Sequence, residues 1–348
     1  RRQRQMCIRD RSDDINSFEM KFGKNIQTLS ESSFDSWIKY YRQNEESQNT
    51  IVSYYSKGSV IGLVLDLTLI IKSNGKLKGA TIKFPKISVG ATEQLIMSAV
   101  LAKGKTILKN SAIEPEIKDL TNFLKSAGAN IKWIGKRTCQ IIGVDTLSQT
   151  TYSVMGDRIE TGTFCVASVL TRGNLLIKGF NPNLIRTELN FLKKTGAKIN
   201  TFRNQINIKG PVKIKHIKNI VTKEYPNFPT DLQAQFMVLM CKANGKSSIT
   251  ENIFQSRFMH VMELQRLGAK ISIKNSKATI EGNTDFIGAE VMSSDLRASA
   301  ALVLAAMVAK GESTISRVYH IDRGLSLIHI SEPTRQEAIS YAVFCLKK

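Results

Sequence analysis

EIKDLTNFLKSAGANIKW, residues 116–133, has two counterparts further along the chain: LIRTELNFLKKTGAKIN at 184–200 and FMHVMELQRLGAKISI at 258–273. Each reads as an amphipathic helix stopped at a Gly-Ala pair and followed by a β-strand. In the first, Ile117, Leu120, Leu124 and Ala127 fall on one helical face, and a basic residue near the end suits the helix dipole. The glycines Gly128, Gly196 and Gly268 lie 68 and 72 residues apart. A repeat of roughly 70 residues therefore governs the middle of the sequence.

A second element recurs with the first. ATEQLIMSAVLAKGKTIL from Ala91, ETGTFCVASVLTRGNLLI from Glu160, TDLQAQFMVLMCKANGKSSI from Thr230 and SDLRASAALVLAAMVAKGESTI from Ser294 each have a small or polar opening, an apolar helix, a glycine and a β-rich run. The Asp and Thr side chains at the openings can accept bonds from free helix N–H groups, and the glycines are expected to end the helices at positive φ. One unit thus reads β-α-β-α-β. Two one-sided helices per unit need neighbours to cover them, so helices are expected inward and sheets outward. A fourth Gly-Ala stop is due near residues 335–340 and is missing.

Composition sets the wider bounds. The 348 residues are 42% hydrophobic and 23% charged, ordinary for a globular chain with one large or two smaller domains. Fifty Lys and Arg against 29 acids give a formal charge of +21, which points to an anionic partner or substrate. The basic residues are spread without aromatic interleaving, so a solvated basic surface with an anionic cleft is expected rather than a nucleic-acid groove. Cys7, Cys139, Cys165, Cys241 and Cys345 are odd in number and scattered, against a disulfide framework or a zinc cluster and in favour of a cytoplasmic location. The longest apolar run, Val60 to Ile71, has 12 residues and contains Asp66, short of the roughly 20 that a membrane span needs. Gly104-Lys105-Thr106 is not a P-loop, because Ala99 stands where that motif has glycine.

The ends follow a different pattern. The head, residues 1–11, and the tail, 326–348, match neither the repeat nor each other and resemble translated sequencing-adaptor sequence, so both are read as non-native. Residues 12–75 lack the repeat, and SESSFDSWIKYYRQNEESQNTIVSYYSKGSVIGLVLDLTL, 30–69, resembles a fragment of the glycyl aminopeptidase family of zinc peptidases. Such an enzyme needs H-E-x-x-H, two histidines one turn apart on zinc. His216, His260, His320 and His329 are the only histidines and none has that spacing, so no peptidase chemistry is assigned. A join near Lys76 between two unrelated genes is the simplest explanation.

From Leu77 to about Gly324, seven motifs stand in order: KISVGATEQ from Lys86, NSAIEPEIKDL from Asn110, GDRIETGTF from Gly156, FPTDLQAQF from Phe228, FQSRFMHVMEL from Phe254, SSDLRASAALVLA from Ser293 and YHIDRG from Tyr319. Together they resemble the enolpyruvyl transferases that act on UDP-N-acetylglucosamine, and they differ from the motifs of the sister shikimate enzyme. The resemblance implies an α/β fold of repeated β-α-β-α-β units, an inside-out α/β barrel with a truncated first lobe. Its last first-lobe unit would occupy 76–150 and the second lobe 151–325. It also implies transfer from phosphoenolpyruvate to the sugar nucleotide in a bacterial cytoplasm, with no cofactor, no metal, no nucleic acid and no membrane. The alternative is a fragment of a zinc aminopeptidase.

That reaction adds a sugar hydroxyl to C2 of phosphoenolpyruvate while C3 is protonated, after which phosphate leaves. A carboxylate must take the hydroxyl proton, an acid must protonate C3, and cations must hold a carboxylate, a phosphate and a diphosphate. The resemblance assigns the base to Asp231, although an aspartate opening a helix is more commonly a cap. It assigns uridine and phosphate contacts to Lys86, Ile87, Ser88 and Val89, which precede a helix start with free N–H donors. Ile253 would meet the sugar nucleotide through its main chain. Arg257, Arg297 and Arg323 would line the phosphoenolpyruvate side, where guanidinium forks suit phosphate and carboxylate; bare surface pairing with Asp295 or Asp322 is the plainer reading. Asp295 is expected to cap its helix, and Glu114, Glu116, Asp157 and Arg158 to order the region around the cleft.

The family also carries a lysine-asparagine pair near its start and a loop with a proton-donating cysteine. Nothing upstream of Leu77 matches either, and Cys139, Cys165 and Cys241 fall where core residues are expected.

Overall fold

The computed structural model describes residues 77–254, 257–318, 320 and 321, together with the backbone of 344–346. The peptidase-like stretch at 12–75, the head, Arg323, Asp322 and the site of the missing fourth Gly-Ala stop lie outside the described residues.

The order is β1 (Thr81–Lys83), α1 (Val89–Val100), β2 (Lys105–Lys109), α2 (Pro115–Ser126), β3 (Asn130–Gly135) and β4 (Thr138–Ile142). Next come α3 (Arg158–Leu170), β5 (Asn174–Lys178), α4 (Arg186–Lys194), β6 (Lys198–Phe202) and β7 (Gln205–Lys209). A third round holds β8 (Asn219–Val221), α5 (Gln233–Lys242), β9 (Ser247–Thr250), α6 (His260–Arg266), β10 (Lys270–Lys274) and β11 (Lys277–Glu281). The fourth begins as β12 (Glu290–Met292), α7 (Leu296–Ala306) and β13 (Ser313–Ser316). The repeat is present, but the second round has no opening strand among the described residues, and each completed round ends in two strands where the spacing predicts one. The strand after the Gly-Ala stop turns back as a hairpin, β3 with β4, β6 with β7 and β10 with β11. That return strand then pairs with the strand before the second helix, as β4 does with β2, β7 with β5 and β11 with β9.

Gly128, Gly196 and Gly268 occupy the same place in three rounds, just past α2, α4 and α6, with φ of 97°, 97° and 96°. A side chain in that left-handed region crowds the following carbonyl, which is why glycine recurs there. The other helix ends are less uniform. Gly104, Gly245 and Gly311 have positive φ as expected, but after α3 it is Arg172, at φ 57°, that turns left-handed. The chain reverses one residue earlier there, and the N–H of Gly173 returns to the carbonyl of Ser168 at 2.8 Å.

The contacts divide the chain into two compact units. The first holds, among described residues, 77–83, Gln94–Lys109 and Ala127–Gln149, and its sheet runs β1-β2-β4-β3. Leu108, Ile131, Cys139 and Ile141 are buried in it. The second holds Phe84–Glu93, Asn110–Ser126 and the described residues from Thr150 onward. Within it α3, α5 and α7 pack on one another, and every residue from Gln233 to Cys241 of α5 is buried. Helices α4 and α6 bury only one stripe each, Glu188, Leu189 and Leu192 in the first and His260, Val261 and Leu264 in the second. Strands β7 and β9 alternate between core and surface, as a sheet with one covered face does. Backbone at Phe344–Leu346, in the tail read as non-native, pairs with β13 as a third strand beside β12 and β13.

Alanine at Gly128 tests the repeated helix stop, because no atom lies within 4 Å of the added carbon and only the backbone conformation resists it. Gly128→Ala is expected to lower stability by about 1–2 kcal/mol. Gly90→Ala, also with open space and no positive φ, should be neutral or slightly stabilising. The urea midpoints of the two variants check this.

Candidate active site

A cavity of ≈ 400 Å³ opens within the second unit, and its walls come from segments far apart in sequence. Ile87, Ser88 and Val89 enter from the approach to α1, Glu114 and Glu116 from the start of α2, and Arg158 from the start of α3. Lys223, Glu224, Tyr225 and Asn227 line another side, and Thr230, Asp231, Ile253, Phe254 and Arg257 complete it.

Asp231 decides what this cavity can do. It lies in a 3-10 turn, Thr230–Leu232, that leads into α5, and neither that turn nor α5 has a side-chain cap. Its counterparts in the repeat behave differently. Asp157 caps α3 through the N–H groups of Ile159 and Glu160, and Asp295 caps α7 through those of Arg297 and Ala298. Asp295 is thus the cap that the sequence predicted, while the carboxylate of Asp231 is left for other partners. Gly162 in α3 leaves room for Leu232: a Cβ there would stand 2.5 Å from Cδ1 of that fully buried side chain.

Those partners are arginines. Arg257 donates from NH2 to Oδ1 of Asp231 at 2.6 Å, and NH2 of Arg297 lies 3.5 Å from Oδ2. Arg257 also donates from NH1 to Oγ1 of Thr230 at 2.7 Å and sits 5.0 Å over the ring of Phe254. Burial pushes the Asp231 carboxyl upward, but Arg257, Arg297 and the more distant Arg158 outweigh it and hold its pKa below the usual carboxylate value. Asp231 is therefore ionised at neutral pH and ready to accept a proton, though weakly basic while both arginines hold it.

The other expected residues fall as follows. Ile87, Ser88 and Val89 line the cavity, and Oγ of Ser88 accepts from the N–H of Ala91 at 3.3 Å, so its hydroxyl helps to cap α1. Lys86 is exposed and is not part of the cavity lining. Ile253 lines the cavity, but its N–H donates to Oε1 of Glu251 at 2.8 Å, so any main-chain contact to a ligand falls to its carbonyl. Arg297 reaches Asp231 from the first turn of α7, and Arg323 lies outside the described residues. Cys139, Cys165 and Cys241 are buried, and burial pushes the Cys165 and Cys241 thiols up to about 12. Among the described residues no group of three His, Cys, Asp or Glu could hold a metal, and no helix is long and apolar enough to cross a membrane.

A buried network beside Asp231 joins two residues expected to order this region, Glu116 and Arg158, to one that the sequence did not mark, Glu188. Arg158 donates from Nε and NH2 to the two oxygens of Glu116, both at 3.0 Å, and its NH1 faces Oε1 of Glu188 at 3.7 Å. Burial is the main reason that the Glu188 carboxyl rises to about 7, with Arg158 opposing it. Glu188 sits in the KTG-terminated amphipathic helix, where a glutamate in the first turn reads as an ordinary dipole partner, so no local pattern marks it.

Two family models match different parts of the chain, and the curated relatives share one name. The model for EPSP synthase (3-phosphoshikimate 1-carboxyvinyltransferase) matches residues 63–329, and that for M61 glycyl aminopeptidase matches 2–61. The two matches meet between residues 61 and 63. UDP-N-acetylglucosamine 1-carboxyvinyltransferase of Pelagibacter ubique (strain HTCC1062) is 62% identical over 248 residues, covering 71% of this chain and 59% of that protein. The enzyme of the same name from Endomicrobium trichonymphae is 47% identical, with 74% and 62% covered. The chain therefore spans about six-tenths of these relatives' length. Among solved structures, the enolpyruvyl transferase NikO from Streptomyces tendae superposes with a TM-score of 0.68 at 22% identity, covering 78% of this chain and 66% of that one. EPSP synthase from Acinetobacter baumannii gives 0.58 at 18%, with 77% and 64% covered.

Glu188 offers a test with a defined sign. A carboxyl whose pKa rises from 4.5 unfolded to about 7 folded stabilises the protein below pH 4.5 and loses that contribution as pH rises through 7. Glu188→Gln should match the wild type near pH 4.5. By pH 8 it should be the more stable chain, by up to about 3 kcal/mol. Thermal unfolding across that range reads the difference.

Proposed function

This chain belongs to the EPSP synthase family, and on that premise we propose that its cavity serves enolpyruvyl transfer from phosphoenolpyruvate to the 3-hydroxyl of UDP-N-acetylglucosamine, the first committed step of peptidoglycan synthesis. The observation that carries the proposal is Asp231, an aspartate at a helix start that caps nothing and is gripped by two arginines. The 62% identity to a relative of that name supports the sugar nucleotide over shikimate phosphate as acceptor. The cytoplasm is the place for such a reaction. Residues 76–150 would be the last unit of a first lobe and 151–325 the second lobe.

In this reading Asp231 takes the proton of the 3-hydroxyl as that oxygen bonds to C2 of phosphoenolpyruvate. An acid delivers a proton to C3, and the adduct then loses phosphate and a C3 proton to give the enol ether. Arg257, Arg297 and Arg323 receive the phosphate and carboxylate of phosphoenolpyruvate. A dianionic phosphate competes with Asp231 for Arg257 and Arg297, and any guanidinium drawn away leaves Asp231 more basic when a base is needed. Ile87, Ser88, Val89 and Ile253 lie along the same cavity, and in this reading they receive the sugar nucleotide. Lys86, exposed beside this segment, reaches its phosphates from outside the lining.

No cysteine among the described residues fills the acid's role. The buried thiols do not reach the cavity, and nothing upstream of Leu77 matches the family's cysteine loop. Loss of a positioned acid costs about 10²- to 10⁴-fold in rate. The 348-residue chain by itself is therefore expected to release negligible phosphate when given both substrates. A full-length relative carrying the change that corresponds to Asp231→Asn should still bind UDP-N-acetylglucosamine but release phosphate slowly, about 10²-fold or more below its parent. Robust phosphate release by the 348-residue chain, or an unimpaired Asn variant, would overturn the assignment of roles.

A further inference from the structure

Glu251 belongs to none of the motifs that define the site, yet four hydrogen bonds converge on its carboxylate, and the residue is 3% exposed. Oε1 accepts from Oγ1 of Thr222 at 2.8 Å and from the N–H groups of Ile253 at 2.8 Å and Phe254 at 3.1 Å. Oε2 accepts from Oγ1 of Thr230 at 2.8 Å. Thr222 in turn accepts from the N–H of Asn252 at 2.9 Å, so the whole turn after β9 is tied to one buried carboxylate.

The Thr230 link carries the directional information. A hydroxyl has one proton and two lone pairs, and an ionised carboxylate can only accept. Thr230 must therefore give its proton to Glu251, which leaves lone pairs alone for Arg257, whose NH1 donates to that oxygen at 2.7 Å. The other end of the same guanidinium donates to Asp231 at 2.6 Å. A single chain of donors thus runs from Arg257 to Thr230 to Glu251, while Asp231 receives the second arm of the fork.

We propose that Glu251 is a positioning residue for Asp231: by orienting the Thr230 hydroxyl and pinning the Ile253–Phe254 turn, it sets where the Arg257 guanidinium holds the carboxylate. The proposal rests on reading Asp231 as the base of this site, since only then does its exact setting matter for a reaction. A glutamine at 251 makes a selective probe. Its oxygen can keep the three Oε1 bonds, whereas its NH₂ would face Thr230 as a donor and reverse that one link.

The test uses the 348-residue chain labelled with ¹³C at aspartate carboxyls, with the Asp231 signal identified by its loss in Asp231→Asn. In Glu251→Gln the titration midpoint of Asp231 should rise by about 0.5–1 pH unit as the charge-assisted grip of Arg257 loosens. Thr230→Val should produce the same rise, and Thr230→Ser, which keeps the hydroxyl, should not. The double variant Glu251→Gln with Thr230→Val should shift little beyond either alone, because both cut one chain of bonds. A folded Glu251→Gln chain with the wild-type midpoint, or shifts that add in full, would overturn the proposal. If Glu251→Gln does not fold, Val against Ser at 230 decides: equal midpoints refute the relay and a rise in Val alone supports it. The titration reads the surroundings of the carboxylate and not turnover, so this result stands apart from whether Asp231 proves to be the base.

Discussion

Everything in the second unit depends on the burial of α5. Its nine residues from Gln233 to Cys241 are all inaccessible, so the helix has no solvent face and must be surrounded. Helices α3 and α7 supply the cover, and Phe191, Phe228 and Phe236 close one end with ring centroids 4.8 to 6.5 Å apart. Burying one large apolar side chain contributes about 1.5–3 kcal/mol, so a helix hidden on all sides anchors its ends firmly. One of those ends is the Thr230–Leu232 turn. The Asp231 carboxylate thus stands in the turn that leads into the most heavily buried helix of the unit.

Electrostatics at that end works against simple stability. A carboxylate that capped α5 would satisfy free N–H groups and help the helix dipole, as Asp157 and Asp295 do for α3 and α7. Asp231 gives up that role, and the α5 end begins as a 3-10 turn instead. What replaces the cap is a pairing with Arg257 and Arg297 at a position still one-third exposed, where such pairs contribute modestly. An uncapped helix and a cluster of cations around one acid make sense as a site for an anion that carries its own negative charge to the arginines.

Arg158 shows the same economy in a drier place. Its guanidinium is held bidentate by Glu116 and approached by Glu188, a carboxyl that burial makes reluctant to ionise. An Arg with one full partner and one titrating partner keeps a net positive influence on the cavity, and Asp231 feels it. The network also ties the starts of α2 and α3 to one side of α4, which places Glu114 and Glu116 on the cavity wall.

The sequence by itself determined the repeat, because period and punctuation are local: Gly128, Gly196 and Gly268 announce a left-handed turn wherever an L-residue would be strained, and helical spacing marks Ile117 and Leu124 as buried. It determined the family through motifs in a fixed order, and those motifs singled out Asp231, Arg257 and Ile253, which line one cavity. It did not reveal the return strand of each hairpin, since a short half-buried strand carries the same alternation as the one before it. Helix position alone, without the motifs, could not tell Asp231 from Asp295, two aspartates that open similar helices. Only the tertiary structure decided that one caps and the other meets arginines, because the deciding partner, Arg257, is supplied by a segment that folding brings alongside. Glu251 was silent in the sequence for the same reason: the acceptor role of a carboxylate becomes visible only when Thr222, Thr230 and two backbone N–H groups have been gathered around it.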